Sequence, residues 1–169
     1  MRTLFLMRHA TAAHSGTAGT DHSRPLTPKG KLEAEAIGKF LRKTGMSIDA
    51  AACSTAARAR QTAEAVLHAA GAKFKAEAVP ELYNATGEAM LRWIQTQPDK
   101  AKRLLVVAHM PGVAELISLL TTEATDLVLG FSPATLASVE GEGERWADWD
   151  YGRGQLQLVM PAAAAAGKK

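Results

Sequence analysis

Short apolar runs and longer amphipathic segments alternate along the chain. The apolar runs, each bounded by polar or turn residues, predict strands over 2–8, 48–54, 74–79 and 103–109. Apolar residues at helical spacing predict helices over 27–45, 55–71, 86–98 and 111–120. The first of these helices carries the clearest end signals, because Thr27 and Pro28 are typical of a helix start and Gly45 of a helix end.

This order of elements predicts an α/β protein with a mostly parallel sheet, because strands alternate with helices of about ten residues or more. The pattern changes near the end, where residues 134–151 read as a strand, a glycine-rich turn and a second strand, which predicts a β-hairpin added to the sheet. No linker interrupts the pattern, so we expect one domain over 1–160. The low-complexity stretch from Pro161 predicts a disordered tail over 161–169.

Composition and charge narrow the class of protein. No apolar run reaches the length of a membrane span, and the first residues do not resemble a secretory leader. A single cysteine, Cys53, fits a reducing compartment, so we expect a cytoplasmic protein. The formal net charge is +3 and falls to +1 without Lys168 and Lys169, which argues against a nucleic-acid partner.

Two arginines and two histidines follow strands or begin a helix at one predicted edge of the sheet. The first strand ends in Arg8 and His9, the strand over 103–109 ends in His109, and Arg58 lies in the first turn of the helix after the second strand. The carboxyl ends of the strands are where open α/β sheets bind ligands. We therefore expect these four side chains to form one site.

The chemistry of this set points to phosphoryl transfer. The guanidinium fork of arginine matches a phosphate in a bidentate manner, and a helix N-terminus adds further donors. Neighbouring cations favour a neutral imidazole, which is a nucleophile toward phosphorus. Histidines and carboxylates do not recur at metal-ligand spacing, so we expect no metal. Arg60 lies two residues after Arg58 on the same helix and is expected to face away from it.

The other unusual side chains receive structural interpretations. His68 lies on a predicted helix, and His14 and His22 lie in a polar loop, where we expect solvated residues. The tryptophans are expected to pack in the core or against the hairpin; they are Trp93, Trp146 and Trp149.

Five segments together resemble the histidine phosphatase superfamily, also called phosphoglycerate mutase-like, and in particular its SixA branch of phosphohistidine phosphatases. They are "LFLMRHA", "SRPLTPKG", "CSTAARARQTAE", "VVAHMPGV" and "SPATLASVE". The resemblance implies a three-layer α/β/α fold and catalysis without a metal or cofactor. It assigns the phosphorylated nucleophile to His9, phosphate binding to Arg8, Arg58 and His109, and a role on the substrate side to Arg24.

Three positions depart from the superfamily pattern. Ala10 stands where glycine is usual and would restrict the approach of the backbone to a phosphate. Thr55 stands where proline is common. Asn84 stands where larger relatives have an acid, and Asn84 cannot protonate a leaving group. Glu81 is nearby and is either a substitute acid or a solvated loop carboxylate.

These observations lead to an expected function with two alternatives. We expect a metal-free phosphatase that acts on phosphohistidine in a partner protein, because imidazole leaves with little help from an acid and the short chain has no room for a lid. The alternatives are a phosphomonoesterase for small phosphorylated molecules and a catalytically idle phosphate-binding module. The intact set of four residues argues against the idle module.

Overall fold

The computed structural model describes residues 1–14, 16, 19–121 and 131–167. Six strands form one sheet; they are β1 (Arg2–Arg8), β2 (Ala50–Ser54), β3 (Glu77–Val79), β4 (Arg103–Ala108), β5 (Leu136–Gly141) and β6 (Gly154–Met160). The α-helices in the described part of the chain are α1 (Pro28–Thr44), α2 (Ala57–Ala70), α3 (Gly87–Gln95), α4 (Gly112–Leu120) and α5 (Ala162–Ala165). Two short 3₁₀ helices cover Pro80–Leu82 and Trp146–Asp148.

The strand order β3-β2-β4-β1-β5-β6 places β1 inside the sheet. The first four strands in this order pair in parallel, whereas β5 is antiparallel to both β1 and β6. Side chains of β1 alternate between two hydrophobic clusters, with Leu4 and Leu6 on one face and Phe5 and Met7 on the other. A strand with both faces covered reads as a continuous apolar run, which is why its sequence shows no alternation. The predicted three-layer α/β/α fold is confirmed.

Capping sets the limits of α1 as the sequence predicts. The hydroxyl of Thr27 accepts a hydrogen bond from the amide of Gly30 at 3.0 Å, and Pro28 begins the helix. Gly45 ends it with a φ of 73°, a left-handed conformation that glycine adopts without steric cost. The other helices and strands predicted before residue 121 lie within a few residues of their predicted limits.

The predicted hairpin over 134–151 is correct for its first strand and wrong for its second. The partner of β5 is β6, which begins at Gly154. The side chains of Trp146 and Trp149, between β5 and β6, are fully buried. The Trp146 indole donates to the carbonyl of Ala101 at 2.6 Å and packs under the guanidinium of Arg2. In a strand, residues three positions apart point to opposite faces of the sheet. Trp146 and Trp149 are three positions apart and lie in the same hydrophobic cluster, so this segment does not form a strand. The expected packing role of these two tryptophans is confirmed.

The predicted disordered tail over 161–169 also differs from the structure. Ala162–Ala165 form a short helical turn that contacts α1, and Ala162 is buried in the cluster beneath α1 and α2. Alanine has the highest helix propensity, and its small side chain allows close approach to a neighbouring helix. Lys168 and Lys169 lie outside the described residues. None of the helices in the described part of the chain has the length and apolar character needed to cross a bilayer.

Candidate active site

The end of β1 is held by both of its neighbouring strands. The amide of His9 donates to the carbonyl of Ala108, the last residue of β4, at 3.0 Å. The amide of Ala134, just before β5, donates to the carbonyl of His9 at 3.1 Å. The backbone of His9 is therefore fixed on two sides. This places the His9 side chain at the carboxyl edge of the parallel strands.

The imidazole of His9 has a defined tautomer. Its Nδ1 lies 2.8 Å from the carbonyl oxygen of Ala10, which only accepts hydrogen bonds, so Nδ1 carries the proton. Its Nε2 therefore holds a lone pair, and the Nε–H of Arg58 donates to that lone pair at 3.2 Å. Burial, together with the charges of Arg58 and Arg8, lowers the pKa of His9 to about 4. The ring is neutral at pH 7, with Nε2 directed at the guanidinium.

The loop after His9 is fixed by helices α1 and α2. The amide of Ala10 donates to the hydroxyl of Thr62 at 3.0 Å, and that hydroxyl donates to the carbonyl of Arg58 at 2.7 Å. The amide of Thr11 donates to the carboxylate of Glu33 on α1 at 2.9 Å. Ala10 is fully buried in the cluster beneath α1 and α2, so its methyl group packs in the core. We expected this methyl group to restrict the approach of the backbone to a phosphate. Its position in the core does not support that expectation.

Arg8 has one buried donor without a partner among the described residues. One terminal nitrogen donates to the carbonyl of Phe131 at 3.0 Å. Its buried Nε–H has no hydrogen-bond partner among the described residues. Burial also lowers the pKa of Arg8. A buried donor without a partner is costly, and an anion placed beside it removes that cost.

Arg58 is buried at the start of α2 and lies at the centre of the site. Beyond its contact with His9, its terminal nitrogens donate to the backbone carbonyl of Asp21 at 2.8 Å and to the Asp21 carboxylate at 3.2 Å. One of them also lies 3.3 Å from Nδ1 of His109. Arg60, two residues later, is exposed. The structure thus places Arg58 at the site and Arg60 at the surface.

His109 follows β4 and is almost completely buried. Because Nδ1 accepts from Arg58, the proton lies on Nε2, which donates to the hydroxyl of Ser54 at 2.7 Å. Burial, followed by the charges of His9 and Arg58, lowers the pKa of His109 to about 3. The two imidazole rings lie 5.3 Å apart between centroids. Both histidines are therefore neutral under ordinary conditions.

Asp21 is a member of the site that the sequence analysis missed. Its carboxylate accepts hydrogen bonds from the hydroxyl of Tyr83 at 2.7 Å, from Arg58 and from Nε of Arg24 at 3.1 Å. The hydrogen bond from Tyr83, together with the charge of Arg58, lowers the pKa of Asp21 to about 2. Asp21 belongs to the polar loop that we expected to be solvated. Its proximity to "SRPLTPKG" is the only signal in the sequence that pointed toward it.

Arg24 and Glu81 differ in their relation to the site. Arg24 binds the Asp21 carboxylate and donates to the carbonyl of Ala13 at 2.8 Å, so it holds the loop at the rim. Glu81 is exposed on the 3₁₀ helix Pro80–Leu82, and no hydrogen bond or ion pair within the described ranges joins it to the site. Asn84, the position at which the resemblance led us to look for an acid, is also exposed.

His22 is exposed, as expected for a loop residue, and it also contacts residues at the edge of the site. Its carbonyl accepts the amide of Ala57 at 2.9 Å at the start of α2, and its ring contacts the edge of Tyr83 and the hydroxyl of Thr55. His68 is exposed on α2, away from this group. Across the described ranges, no three histidine, cysteine or carboxylate side chains are placed to hold a metal ion together.

Comparisons with known proteins show which family this chain belongs to and which solved structures it resembles. Residues 4–88 match the model of the histidine phosphatase superfamily, branch 1. A candidate phosphohistidine phosphatase SixA from Nakamurella multipartitia is 38% identical, with a TM-score of 0.78 over 95% of this chain and 96% of that one. The protein histidine phosphatase SixA in complex with tungstate is 27% identical, with a TM-score of 0.82 over 96% and 98%. An uncharacterised protein of Mycobacterium tuberculosis is 36% identical over 86% of this chain and 93% of its own length.

Proposed function

Since the chain belongs to the histidine phosphatase superfamily, we propose that it is a metal-free phosphatase that forms a phosphohistidine on His9 and acts on phosphohistidine in a partner protein. Phosphatase activity itself is supported by the family and by the SixA structures. The observation that carries the proposed nucleophile is the geometry of His9. Its Nδ1–H is bonded to the carbonyl of Ala10, so the Nε2 lone pair points to the donors that would bind a phosphoryl group.

The first step follows from these contacts. A phosphoryl group that enters the site accepts the free Nε–H of Arg8. It also replaces the carboxylate of Asp21 as the acceptor for a terminal nitrogen of Arg58. Nε2 of His9 attacks phosphorus, a P–N bond forms, and the bond to the leaving group breaks with its electron pair on that group. The carbonyl of Ala10 stabilises the positive charge that develops on the ring, because it accepts the Nδ1–H. Water then attacks the phosphorylated His9 and releases inorganic phosphate.

The leaving group is the reason for proposing phosphohistidine. Asp21 is ionised, and Glu81 is exposed without a described contact to the site, so neither carboxylate is placed to donate a proton. An alkoxide is a poor leaving group without a donated proton, because the pKa of its conjugate acid is close to that of water, about 15.7. Imidazole leaves as a neutral molecule when its second nitrogen is protonated, and its conjugate acid has a pKa of about 6.5. The site therefore favours nitrogen leaving groups.

A substrate panel tests this proposal. The protein is assayed with a phosphohistidine-containing phosphotransfer protein, free phosphohistidine, p-nitrophenyl phosphate and glucose 6-phosphate, and kcat/KM is compared. We expect the phosphohistidine protein to react best and the sugar phosphate least. Equal or better hydrolysis of the sugar phosphate would favour a small-molecule phosphomonoesterase. No turnover of any substrate, with phosphate still bound, would favour an idle binding module.

The nucleophile is tested by His9→Ala, with His68→Ala as the matched control. Turnover by His9→Ala should fall by a factor of roughly 10⁴ or more, the scale seen when a covalent catalytic residue is removed. His68 is exposed on α2, and its replacement should leave turnover unchanged. Radiolabelled substrate quenched in alkali should leave label on His9, since phosphohistidine survives base. Label on another residue would refute the assignment.

A further inference from the structure

The site contains one carboxylate among three guanidinium groups. Asp21 hydrogen-bonds to Arg58 and Arg24, and the charge of Arg8 also acts on His9. A phosphate needs cations, so a carboxylate at this position opposes binding unless it has another task. Because Asp21 is ionised, that task is to accept a hydrogen bond or to balance a positive charge, not to donate a proton.

Phosphate binding changes the contacts of Asp21. Its Oδ2 accepts from Arg58 at 3.2 Å and from Tyr83 at 2.7 Å, and its Oδ1 accepts from Arg24. A carboxylate has about four acceptor positions. When the donors of Arg58 turn to a phosphoryl group, Oδ2 loses one partner. A free acceptor position then lies beside the bound phosphoryl group, one guanidinium away from Nε2 of His9.

Phosphohistidine offers a donor that fits this vacancy. Its reactive form carries a proton on the ring nitrogen that is not bound to phosphorus, and that N–H remains with the imidazole as the P–N bond breaks. This ring is cationic before bond cleavage. Three nearby arginines would oppose its approach, whereas a carboxylate hydrogen-bonded to the N–H would stabilise it.

We propose that the carboxylate of Asp21 accepts the hydrogen bond of this N–H and so selects a protonated imidazole as the leaving group. The inference rests on the proposed function, and it assigns a catalytic contact to a residue outside the four expected ones. In the step, Nε2 of His9 forms a bond to phosphorus and the substrate P–N bond breaks. The electron pair of that bond stays on the substrate nitrogen, neutral imidazole departs with its proton, and Asp21 remains ionised.

Tyr83 positions this carboxylate. Its hydroxyl donates to Oδ2 of Asp21 at 2.7 Å, and its ring packs edge-on against His109, with centroids 5.5 Å apart. Tyr83 thus connects the loop that carries Asp21 to the buried His109. Asp21 itself is about half exposed, with a side-chain exposure of 48%, so its replacement leaves the core untouched.

The test compares the parent protein with Asp21→Asn on two substrates. Asparagine keeps the shape of the side chain and removes its charge. With phosphohistidine, kcat/KM should fall about 10- to 100-fold, the scale of a lost charge-assisted hydrogen bond. With p-nitrophenyl phosphate, whose leaving group is an anion without an N–H, the loss in kcat/KM should be several-fold smaller, because the substitution then affects only the contacts of Asp21 with Arg58 and Arg24. Asp148→Asn is the matched control, because Asp148 also pairs with an arginine, Arg145, far from the site.

A third substrate separates the hydrogen bond from the charge. A phosphoimidazole that is methylated on its second nitrogen is cationic but has no N–H. The loss caused by Asp21→Asn should be smaller with it than with phosphohistidine. An equal loss would mean that Asp21 acts through charge alone and would overturn the hydrogen bond.

The outcomes distinguish this inference from the proposed function. If the parent protein does not hydrolyse phosphohistidine, the proposed function fails and the inference fails with it. If the parent does, and Asp21→Asn slows both substrates equally, Asp21 only positions Arg58, and the inference fails while the proposed function stands. An unchanged rate with phosphohistidine would show that the charge of Asp21 does not contribute, and it would also overturn the inference while the proposed function stands. Only a selective loss supports the inference.

Discussion

Replacing Arg58 by lysine keeps the positive charge and removes the fork. In the structure the guanidinium reaches three partners at once, through Nε to His9 and through its terminal nitrogens to Asp21 and His109. A lysine ammonium is a point donor and cannot span these directions. Since Arg58 is buried, water does not replace the missing donors without cost.

The magnitude follows from the hydrogen bonds that a lysine cannot make. A bound phosphoryl group can take two hydrogen bonds from the guanidinium fork of Arg58, and a lysine ammonium cannot make this bidentate pair. Each charge-assisted hydrogen bond contributes about 1.5–3 kcal/mol, so two amount to about 3–6 kcal/mol. With about 1.36 kcal/mol for each factor of ten, kcat/KM should fall about 10²- to 10⁴-fold.

The assay is hydrolysis of p-nitrophenyl phosphate, with Arg60→Lys as the matched control on the same helix. Arg60 is exposed, and its replacement should change kcat/KM less than about twofold, as is typical of surface substitutions. Thermal unfolding with and without inorganic phosphate separates binding from folding, because a ligand of the native state raises Tm. The phosphate-induced rise should shrink in Arg58→Lys. A loss below about tenfold, or equal losses in the two variants, would refute the reasoning from the guanidinium fork.

Three further predictions concern protons, metals and the leaving group. The rings of His9 and His109 should remain neutral down to about pH 4 and about pH 3 in an NMR titration, and midpoints near the unperturbed value would contradict the burial argument. Both folded-state pKa values lie below that of an unfolded histidine, about 6.5, so the unfolded state binds more protons between these values. Tm should therefore fall as the pH is lowered from 7 toward 4, and a constant Tm would contradict the lowered pKa values of the two histidines. Chelation with EDTA should leave turnover unchanged, and activity that vanishes and returns with a divalent ion would disprove the metal-free mechanism. Across aryl phosphates, kcat/KM should fall as the leaving-group pKa rises, with the same slope for the parent and Glu81→Gln; a slope that steepens in the variant would identify Glu81 as a general acid.

The convergence of the four expected residues could be predicted because it depends on local pattern and one topological rule. Apolar runs locate β1 and β4, and the carboxyl ends of parallel strands meet at one edge. His9 and His109 each follow one of these strands directly, and Arg58 follows β2 within one helical turn. The helical period also separated Arg58 from Arg60.

The contact between Asp21 and Tyr83 could not be predicted in the same way. The two residues lie 62 positions apart in an irregular loop and after a 3₁₀ helix, where no periodicity fixes a direction. Neither residue type is unusual in a loop. The position of the last strand was predicted wrongly for a related reason. The segment before it carries Trp146, which is held in the core by tertiary contacts with Ala101 and Arg2 that the sequence does not show.

The position of β1 in the sheet has a consequence for how the protein is made. Thr3 pairs with Arg103 on one side and with Glu140 on the other, so both neighbours of β1 are synthesised about one hundred residues or more after it. The apolar residues of β1 therefore have no pairing partner until most of the chain has been synthesised. Such a segment is exposed to aggregation, and its long-range pairing slows folding. His9 acquires its backbone partners only at that late stage, so a nascent chain that stalls before β5 has no assembled nucleophile.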